Sequence, residues 1–404
     1  MATAEMTGIR TMRREEVLNV CKLPQQIRRT CRRPLQAAWN CRAIIAPTTH
    51  TNGAALRAGK PVLENPLWHD SLQAESHNTA AQLYRQPKGM LPTRLRLFAG
   101  TANPALAHEV ACYLGLDLGG IKIKRFADGE IYVQVQESIR GCDVFLIQPT
   151  CPPVNDSLME LLIMIDACKR ASARSITAVM PYFGYARADR KTQGRESIAA
   201  KLAANLLTEA GADRVLAMDL HSGQCVGYFD IPVDHVYGDS VILDYLASKR
   251  ISTGDLVVVS PDVGGVARAR AFAKKLNDAP LAIVDKRRSS HNVSEVMNLI
   301  GDVKDKVAVL VDDMIDTAGT ITNAAKVLHA EGAREVYACA THAVLSPPAT
   351  ARLSSGVFQE VIIANTIPVK AEDHFPELTV LSVANLLGET IWRVYNASSV
   401  QSIL

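Results

Sequence analysis

Unbroken apolar segments of strand length alternate with amphipathic segments of helix length from residue 95 onward, and this alternation constrains the fold more than any other feature. The strand-like segments are LRLFAG (95–100), DVFLIQ (143–148), SITAVMP (175–181), RVLAMD (214–219), LVVVSPD (256–262), LAIVDK (281–286), KVAVLVDD (306–313) and EVYACATH (335–342). The helix-like segments span 155–170, 196–210, 264–276 and 319–331. Strands that are apolar throughout and separated by helices predict parallel sheets covered on both faces.

The length of this alternating region predicts two α/β domains rather than one. A chain of 404 residues is long enough for more than one domain of ordinary size. We place the boundary near residue 238, which gives an N-terminal domain over 92–238 and a C-terminal domain over 239–404. Each domain is expected to be a mostly parallel sheet flanked by helices.

The first 91 residues differ from the rest of the chain in composition. Residues 1–60 contain 11 Lys and Arg against three Asp and Glu, and no strand or helix periodicity is evident up to Leu91. A basic segment that is poor in acids and lacks a continuous apolar stretch is typical of an organellar transit peptide. We therefore predict import into a plastid (chloroplast), with the mitochondrion as the alternative. A disordered tail without a targeting role is the other interpretation.

Charge and hydropathy exclude several classes of partner. Beyond residue 60 the chain carries 33 Lys and Arg and 38 Asp and Glu, and this slightly acidic balance argues against a general nucleic-acid-binding surface. No apolar segment approaches the ~20 residues of a membrane-spanning helix, so no membrane partner is expected. The nine cysteines form no CxxC pair, which predicts buried free thiols in a reducing compartment rather than disulfides or zinc ligands.

The stretch AVLVDDMIDTAGTITNAAKVL (308–328) contains the most specific site signal. A buried strand ends in Asp312 and Asp313. The turn into the next helix consists of Asp316, Thr317, Ala318, Gly319 and Thr320. Small residues leave backbone N–H groups open beside the positive end of the helix dipole, so this turn can bind a phosphate. The adjacent acids suit a sugar diol or a metal, and together these features predict a ribose 5-phosphate site. The simpler alternative is a helix capped by Asp316 or Thr317.

A second group of acids and imidazoles follows a strand-like segment, in DLHSGQCVGYFDIPVDH (219–235). Asp219 and His221 are two residues apart at a strand end and can face the same side. Asp230 and Asp234 follow after short apolar steps. Such groups at the end of a buried strand predict a binding or catalytic site. Because no Walker A motif with a strand before it and no GxGxxG opening a helix is present, any nucleotide is held in another way.

These two motifs resemble those of a known family. Residues 308–320 are similar to the 5-phosphoribosyl 1-diphosphate (PRPP) loop of type I phosphoribosyltransferases. The pattern DLHSGQ-x-x-GYFDIPVD from residue 219 resembles the signature of ribose-phosphate pyrophosphokinases (PRPP synthetases), which share that fold. The resemblance implies two similar phosphoribosyltransferase-like domains. It also implies transfer of the diphosphoryl group of ATP to the C1 hydroxyl of ribose 5-phosphate, which yields PRPP and AMP for nucleotide biosynthesis.

The resemblance implies Mg²⁺ as the cofactor, because diphosphoryl transfer needs charge neutralisation and alignment. His221 is expected to contact magnesium at the ATP phosphates, and Asp262 to make a second contact near the ribose. Asp219, Asp230 and Asp234 complete the expected metal-binding set because they match the rest of the signature. For Asp230 and Asp234 the alternative is that they only shape the turn.

The turn in RFADGEIYVQV (125–135) is expected to bind ATP. In the family, the residues at the positions of Asp128, Gly129 and Glu130 contact the adenine base and reach the site of a neighbouring subunit. The local sequence alone favours an ordinary β-hairpin turn.

The segment YFGYARADRK (182–191) is the other expected ATP-binding element. Arg187 and Lys191 lie beside aromatic residues, and an arginine can pair with phosphates or stack on a base. Ala188 replaces an amide residue that is frequent in relatives, which predicts the loss of one side-chain hydrogen bond to the nucleotide.

The basic segment DKRRSSHN (285–292) follows a strand-like run. Taken alone, such a cluster indicates a solvated surface. In the family this segment is a mobile loop that closes over the transferring group, and Lys286 and Arg288 occupy the positions of its catalytic residues. Arg288 is also expected near ribose 5-phosphate, together with Asp312, Asp313 and the turn over 316–320.

Two other functions share part of these signals. A phosphoribosyltransferase that consumes PRPP would have the 308–320 motif without the 219–235 signature, and a non-catalytic regulatory homologue of the synthetases would have lost residues of the mobile loop. The resemblance further implies a homo-oligomer, with dimers assembling into a hexamer, and inorganic phosphate and ADP as effectors.

Overall fold

The structure, a computed structural model, describes residues 94–249, 251–287 and 296–401, without the side chains of residues 253, 286, 287, 296 and 297. The leader predicted for residues 1–91 lies outside the described residues. All residues that are described belong to one compact unit.

Strands and helices form where the apolar segments predict them, to within a few residues. In chain order, the strands are β1 (Leu95–Ala99), β2 (Ile121–Arg125), β3 (Ile131–Val135), β4 (Asp143–Ile147), β5 (Ser175–Met180), β6 (Arg214–Met218), β7 (Val233–Val236), β8 (Leu256–Ser260), β9 (Leu281–Arg287), β10 (Val296–Ile300), β11 (Val307–Ile315), β12 (Glu335–Ala343), β13 (Glu360–Ala364) and β14 (Leu378–Leu381). The helices are α1 (Pro104–Leu114), α2 (Val154–Arg170), α3 (Ala199–Ala210), α4 (Asp239–Ser248), α5 (Val266–Lys275), α6 (Gly319–Ala330), α7 (Ala349–Leu353) and α8 (Ala384–Tyr395).

Two mostly parallel sheets and a separate hairpin contain these strands. The first sheet has the order β1-β4-β5-β6-β7 and is parallel throughout. The second has the order β10-β9-β8-β11-β12-β13-β14, in which the β9–β10 pair is antiparallel and the other pairs are parallel. Strands β2 and β3 pair antiparallel with each other. The α/β fold class is therefore confirmed.

Strand β4 shows why the apolar segments read as fully buried strands. All of its residues are buried. Val144 and Leu146 pack into the core on one face of the first sheet, whereas Phe145 and Ile147 pack into the core on the other face. Because successive side chains point to opposite faces, a strand covered on both sides needs apolar residues on both faces, as at residues 144–147.

The last helix of the chain returns to the first sheet. Leu387 and Ile391 of α8 share a hydrophobic core with Leu106 of α1. A Cβ atom at Gly388 would come within 2.3 Å of the Tyr113 ring, so glycine permits the close approach of α8 and α1. The division at residue 238 stays a prediction. The two sheets lie on either side of it in sequence, but α8 packs with the N-terminal half.

Two further expectations concern composition. No described helix is long and apolar enough to cross a membrane. The cysteines within the described ranges are all free thiols, and five of the six are buried (Cys142, Cys151, Cys168, Cys225 and Cys339).

Candidate active site

The carboxyl ends of parallel strands from both sheets carry the residues that the sequence singled out. His221 follows β6 of the first sheet, whereas Asp312 and Asp313 lie on β11 of the second, which extends to Ile315. Nδ1 of His221 lies 2.8 Å from Oδ2 of Asp313. The structure thus brings together the two motifs that the sequence predicts separately. This edge is also where open α/β sheets bind ligands.

The His221–Asp313 contact is a hydrogen bond that shifts the pKa of both groups. Burial by itself would raise the pKa of Asp313, but the hydrogen bond to His221 and the positive charge of Arg268 outweigh burial and lower this pKa. The same hydrogen bond raises the pKa of His221 against the opposing effects of burial and of Arg268. Nε2 of His221 has no hydrogen bond to a described residue, so this atom remains available to a ligand.

Asp312 adjoins Asp313 in sequence, but its pKa is shifted in the opposite direction. Its Oδ1 accepts a hydrogen bond from the N–H of Asp313 at 2.9 Å. Burial and the neighbouring charge of Asp313 raise the pKa of Asp312, and the charge of Asp262 contributes in the same direction. Asp262, on the loop after β8, therefore lies within electrostatic reach of this pair. A carboxyl group in such surroundings favours a cation or a hydroxyl donor as its partner.

The buried side chain of Asp219, in the N-terminal half of the described residues, contacts residues of the C-terminal half. It is 3% exposed, and its Oδ1 accepts a hydrogen bond from Arg268 at 3.0 Å. Its Oδ2 accepts from the N–H of Gly238 at 2.8 Å and from the hydroxyl of Thr341. Nε2 of His342 lies 3.1 Å from its carbonyl oxygen. Because both carboxylate oxygens are occupied, these contacts favour a structural role for Asp219 over the expected metal contact.

Asp230 and Asp234 contact basic residues rather than the other members of the expected metal-binding set. Oδ2 of Asp234, on β7, lies 2.8 Å from Nη1 of Arg214. The side chain of Asp230 is 81% exposed and lies 3.7 Å from Nζ of Lys201. These contacts favour the alternative in which both acids shape the turn.

A magnesium ion fits two of the expected ligands. Among the described residues no group of three or more His, Cys, Asp or Glu side chains is arranged to hold a metal ion. Magnesium is commonly held by one or two protein ligands together with waters and substrate phosphates. His221 offers Nε2. Asp262 is exposed, and within the described ranges its carboxylate is engaged through Oδ1, which accepts from the N–H of Gly265 at 2.8 Å. This open donor set suits a metal that arrives with a nucleotide.

The turn from β11 into α6 leaves its first N–H groups open. Ala318 is the N-cap residue, with φ 58° and ψ 11°, and no described side chain makes a cap hydrogen bond to this helix. The alternative of a helix capped by Asp316 or Thr317 is therefore not what forms. A left-handed conformation is uncommon for alanine and marks a turn held in place by its surroundings. Open N–H groups at the start of a helix suit an anion such as a phosphate.

The predicted ATP site and the predicted ribose 5-phosphate site meet at an ion pair. Nη1 of Arg187, on the loop after β5, donates to Oδ2 of Asp316 at 2.5 Å. Burial opposes ionisation of Asp316, but Ser346 and Arg187 together lower its pKa. Lys191 is exposed on the same loop. The N–H and carbonyl of Ala188 are both engaged in backbone hydrogen bonds.

The segment over 125–135 forms the hairpin that its local sequence favours. Asp128, Gly129 and Glu130 lie in the turn between β2 and β3, where Gly129 has a φ of 96°. The N–H of Glu130 donates to Oδ1 of Asp128 at 3.1 Å. Phe126 is 56% exposed beside this turn, and its ring packs edge-on against Tyr132. An exposed aromatic ring next to a polar turn is a surface on which a base can stack.

Part of the expected mobile loop lies outside the described residues. The backbone of Lys286 belongs to β9 and pairs with Met297. Nothing further is described for the Lys286 side chain or for Arg288.

Three residues of the site were not singled out by sequence reasoning. Arg268 contacts Asp219 and lies 3.9 Å from Asp313. Nη1 of Arg352 donates to the carbonyl of Thr317 at 2.8 Å. Phe126 is the third. Both arginines lie on helices, where a basic residue ordinarily indicates a solvated face, so the sequence gives no sign of their contacts. The sequence around Phe126 indicates only a residue at the end of a strand.

Two family models match the chain. Residues 95–211 match the N-terminal domain of ribose phosphate pyrophosphokinase. Residues 286–404 match the phosphoribosyl synthetase-associated domain. The two matches include strands of both sheets.

Individual proteins are similar over about three quarters of this chain. Ribose-phosphate pyrophosphokinase 1 of Spinacia oleracea is 81% identical over 311 residues, which cover 77% of this chain and 93% of that protein. Ribose-phosphate pyrophosphokinase 5, chloroplastic, of Arabidopsis thaliana is 80% identical over 307 residues, 76% of this chain and 78% of that protein. The crystal structure of phosphoribosylpyrophosphate synthetase from Mycobacterium smegmatis has a TM-score of 0.72 and 47% identity, and the match covers 75% of this chain and 99% of that one.

Proposed function

The chain belongs to the ribose-phosphate pyrophosphokinase family, and from this premise we propose that the carboxyl ends of β6, β8 and β11 form its active centre. The activity is the transfer of the diphosphoryl group of ATP to the C1 hydroxyl of ribose 5-phosphate, which yields PRPP and AMP. The observation that carries the location is the His221–Asp313 contact, which joins the signature motif to the strand of the PRPP loop. A transferase that consumes PRPP would need only the second of these motifs.

Ribose 5-phosphate binds, in this proposal, at the end of β11. The open N–H groups at the start of α6 receive the 5-phosphate, and the positive end of the helix dipole favours its charge. Asp312, whose pKa is raised by burial and by Asp313, accepts hydrogen bonds from ribose hydroxyls. The C1 hydroxyl then faces the His221 side of the site.

ATP binds between His221 and the loop after β5. Nε2 of His221 and Oδ2 of Asp262 would hold magnesium, which would supply charge neutralisation at the phosphates. Arg187 leaves or shares its contact with Asp316 to pair with a phosphate, and this exchange couples the two substrate sites. Lys286, whose backbone belongs to β9, and Arg288 neutralise charge on the transferring group.

The adenine base stacks on Phe126 in this proposal, and Asp128, Gly129 and Glu130 contact its edge. The hairpin reaches the active centre of a neighbouring copy, so the enzyme works as a homo-oligomer of dimers that assemble into a hexamer. Inorganic phosphate and ADP act as effectors.

The protein is a chloroplast enzyme. Several similar proteins, from Arabidopsis thaliana and from Oryza sativa subsp. japonica, are named chloroplastic. The basic composition of residues 1–91 supports a role as the transit peptide.

Product analysis of the purified protein tests the activity. With ATP, ribose 5-phosphate and Mg²⁺, phosphorus NMR should show AMP and PRPP appearing in equal amounts. Formation of ADP in place of AMP, or of AMP without ribose 5-phosphate, would contradict the assigned reaction.

Gly319→Val is expected to weaken ribose 5-phosphate far more than ATP. A Cβ atom at this position would meet Nη1 of Arg352 at 3.2 Å, and the branches of valine would cover the N–H groups meant for the phosphate. We expect the KM for ribose 5-phosphate to rise at least tenfold, about 1.4 kcal/mol, while the KM for ATP changes less than about threefold.

A matched control for this variant is Gly254→Val. Its Cβ would meet only Oγ of Ser252 at 3.9 Å, away from the proposed site, and both KM values should remain unchanged. Equal losses for the two substrates in Gly319→Val would argue against a phosphate site at this turn.

Phe126→Ala is expected to raise the KM for ATP with little change in kcat. Stacking of a base on an aromatic ring contributes about 1–3 kcal/mol, so a rise of roughly five- to 150-fold should appear in steady-state kinetics. Phe126→Tyr keeps the ring and should remain within about threefold of the wild type. An unchanged KM in Phe126→Ala would exclude the ring as the adenine platform.

A further inference from the structure

We propose that Arg268 is a positioning residue that holds the His221 side of the active centre in place and thereby sets its affinity for the metal–nucleotide complex. The inference rests on the proposed function of this site. Arg268 is assigned no contact with substrate or metal; it acts through the groups that fix His221.

Arg268 contacts both motifs that form the site. It lies on α5, the helix that begins shortly after Asp262. Nη1 of Arg268 lies 3.0 Å from Oδ1 of Asp219, and Nη2 lies 3.9 Å from Oδ1 of Asp313. Nη2 also approaches the carbonyl oxygens of Leu220 and His221, at 3.4 and 3.5 Å. One guanidinium thus reaches the backbone that carries His221 and the carboxylate that binds its ring.

The two carboxylates need this cation because they are buried. Asp219 is 3% exposed and Asp313 is 4% exposed, and buried charges require a partner. Asp219 has neutral donors besides Arg268, namely Gly238 and Thr341. Asp313 has His221 and Arg268 as its basic neighbours. Without Arg268, Asp313 would keep His221 as its one basic neighbour among the described residues.

These contacts orient the imidazole ring of His221. Asp313 holds Nδ1, so Nε2 is the ring nitrogen left for a ligand. Partners that orient a metal-binding histidine typically change metal affinity or activity 10–100-fold when they are removed. Arg268 lies close to both Asp313 and the 219–221 backbone, so its removal should disturb both supports of the imidazole.

Lysine is not expected to replace Arg268. A planar guanidinium presents several donors in a fixed fork, whereas an ammonium is a single compact charge on a flexible stem. A lysine at this position could pair with Asp219 or Asp313 but could not span both carboxylates and the two carbonyls.

The test compares Arg268→Ala and Arg268→Lys with the control Arg270→Ala, which removes an exposed arginine from the same helix. Binding of Mn²⁺ together with a non-hydrolysable ATP analogue is followed by electron paramagnetic resonance, beside kcat, thermal unfolding and rescue of Arg268→Ala by added guanidinium. We expect at least tenfold weaker Mn²⁺–nucleotide binding and at least tenfold lower kcat in both Arg268 variants. Partial recovery of both by guanidinium is also expected, because the Arg268 side chain is 23% exposed. Arg270→Ala should match the wild type.

Several outcomes would overturn the inference. A folded Arg268→Ala protein with Mn²⁺–nucleotide affinity and kcat within threefold of the wild type would do so, as would a lowered kcat with unchanged metal binding. If Arg268→Ala does not fold, Arg268→Lys decides by the same measurements, and failure of both to fold would show a purely structural role. Wild-type activity in His221→Ala would instead refute the proposed active centre itself, whatever the Arg268 variants do.

Discussion

His221→Ala is expected to lower kcat by on the order of 10²–10³ while the protein remains folded, because the loss removes a group that stabilises charge at the reacting phosphates. The imidazole is partly exposed and contacts Asp313 through Nδ1 alone, so its removal opens no cavity in the hydrophobic core. Steady-state kinetics and a thermal unfolding curve measure the two effects separately.

The control for His221→Ala is His329→Ala. His329 lies near the end of α6 and contacts the carbonyl of Val357 at 2.9 Å, away from the proposed centre, so kcat should not change. A His221→Ala protein with unchanged kcat per folded molecule and a marked loss of stability would show that His221 is structural.

Lys286→Ala is expected to lower kcat by at least on the order of 10², with KM values that change only a few-fold. This expectation rests on the proposal that Lys286 and Arg288 neutralise charge as the diphosphoryl group leaves the α-phosphate. A donor that acts mainly in the transition state raises turnover without tightening ground-state binding. Loss of one such contact costs about 3–4 kcal/mol.

Lys274→Ala serves as the comparison, because Lys274 is an exposed lysine on α5 and the substitution removes the same charge. Its kinetic constants should equal those of the wild type. If Lys286→Ala keeps its kcat and only binds ATP more weakly, Lys286 serves ATP binding rather than the transfer step, and the charge must be met by other residues.

Much of the fold follows from local sequence. Buried parallel strands must be apolar on both faces, as residues 144–147 of β4 and 215–218 of β6 are, and the expected strand positions are confirmed to within a few residues. The return of α8 to the first sheet was not predicted, because its partner α1 lies far away in the chain and the apolar stripe of a helix does not specify what covers it.

The sequence predicts the candidate site only where its residues are close together in the chain. Asp312, Asp313 and the turn into α6 are close in sequence, so one strand end reveals them. Arg268 could not be found in this way, because its partner Asp219 is 49 residues away and an arginine on an amphipathic helix also fits a solvated face. Closeness in sequence can also mislead, as Asp230 and Asp234 show. Spacing places Asp230 and Asp234 near His221 in sequence, yet their contacts are with Lys201 and Arg214.

The measurement that tests the account most directly is the position of the metal. Crystals grown with Mn²⁺, a non-hydrolysable ATP analogue and ribose 5-phosphate would locate manganese by its anomalous scattering. The account predicts manganese bound to Nε2 of His221 and to the carboxylate of Asp262, with the contacts of Asp219 to Arg268 and of Asp234 to Arg214 intact. Manganese bound to Asp219, Asp230 or Asp234, with His221 free of metal, would contradict it.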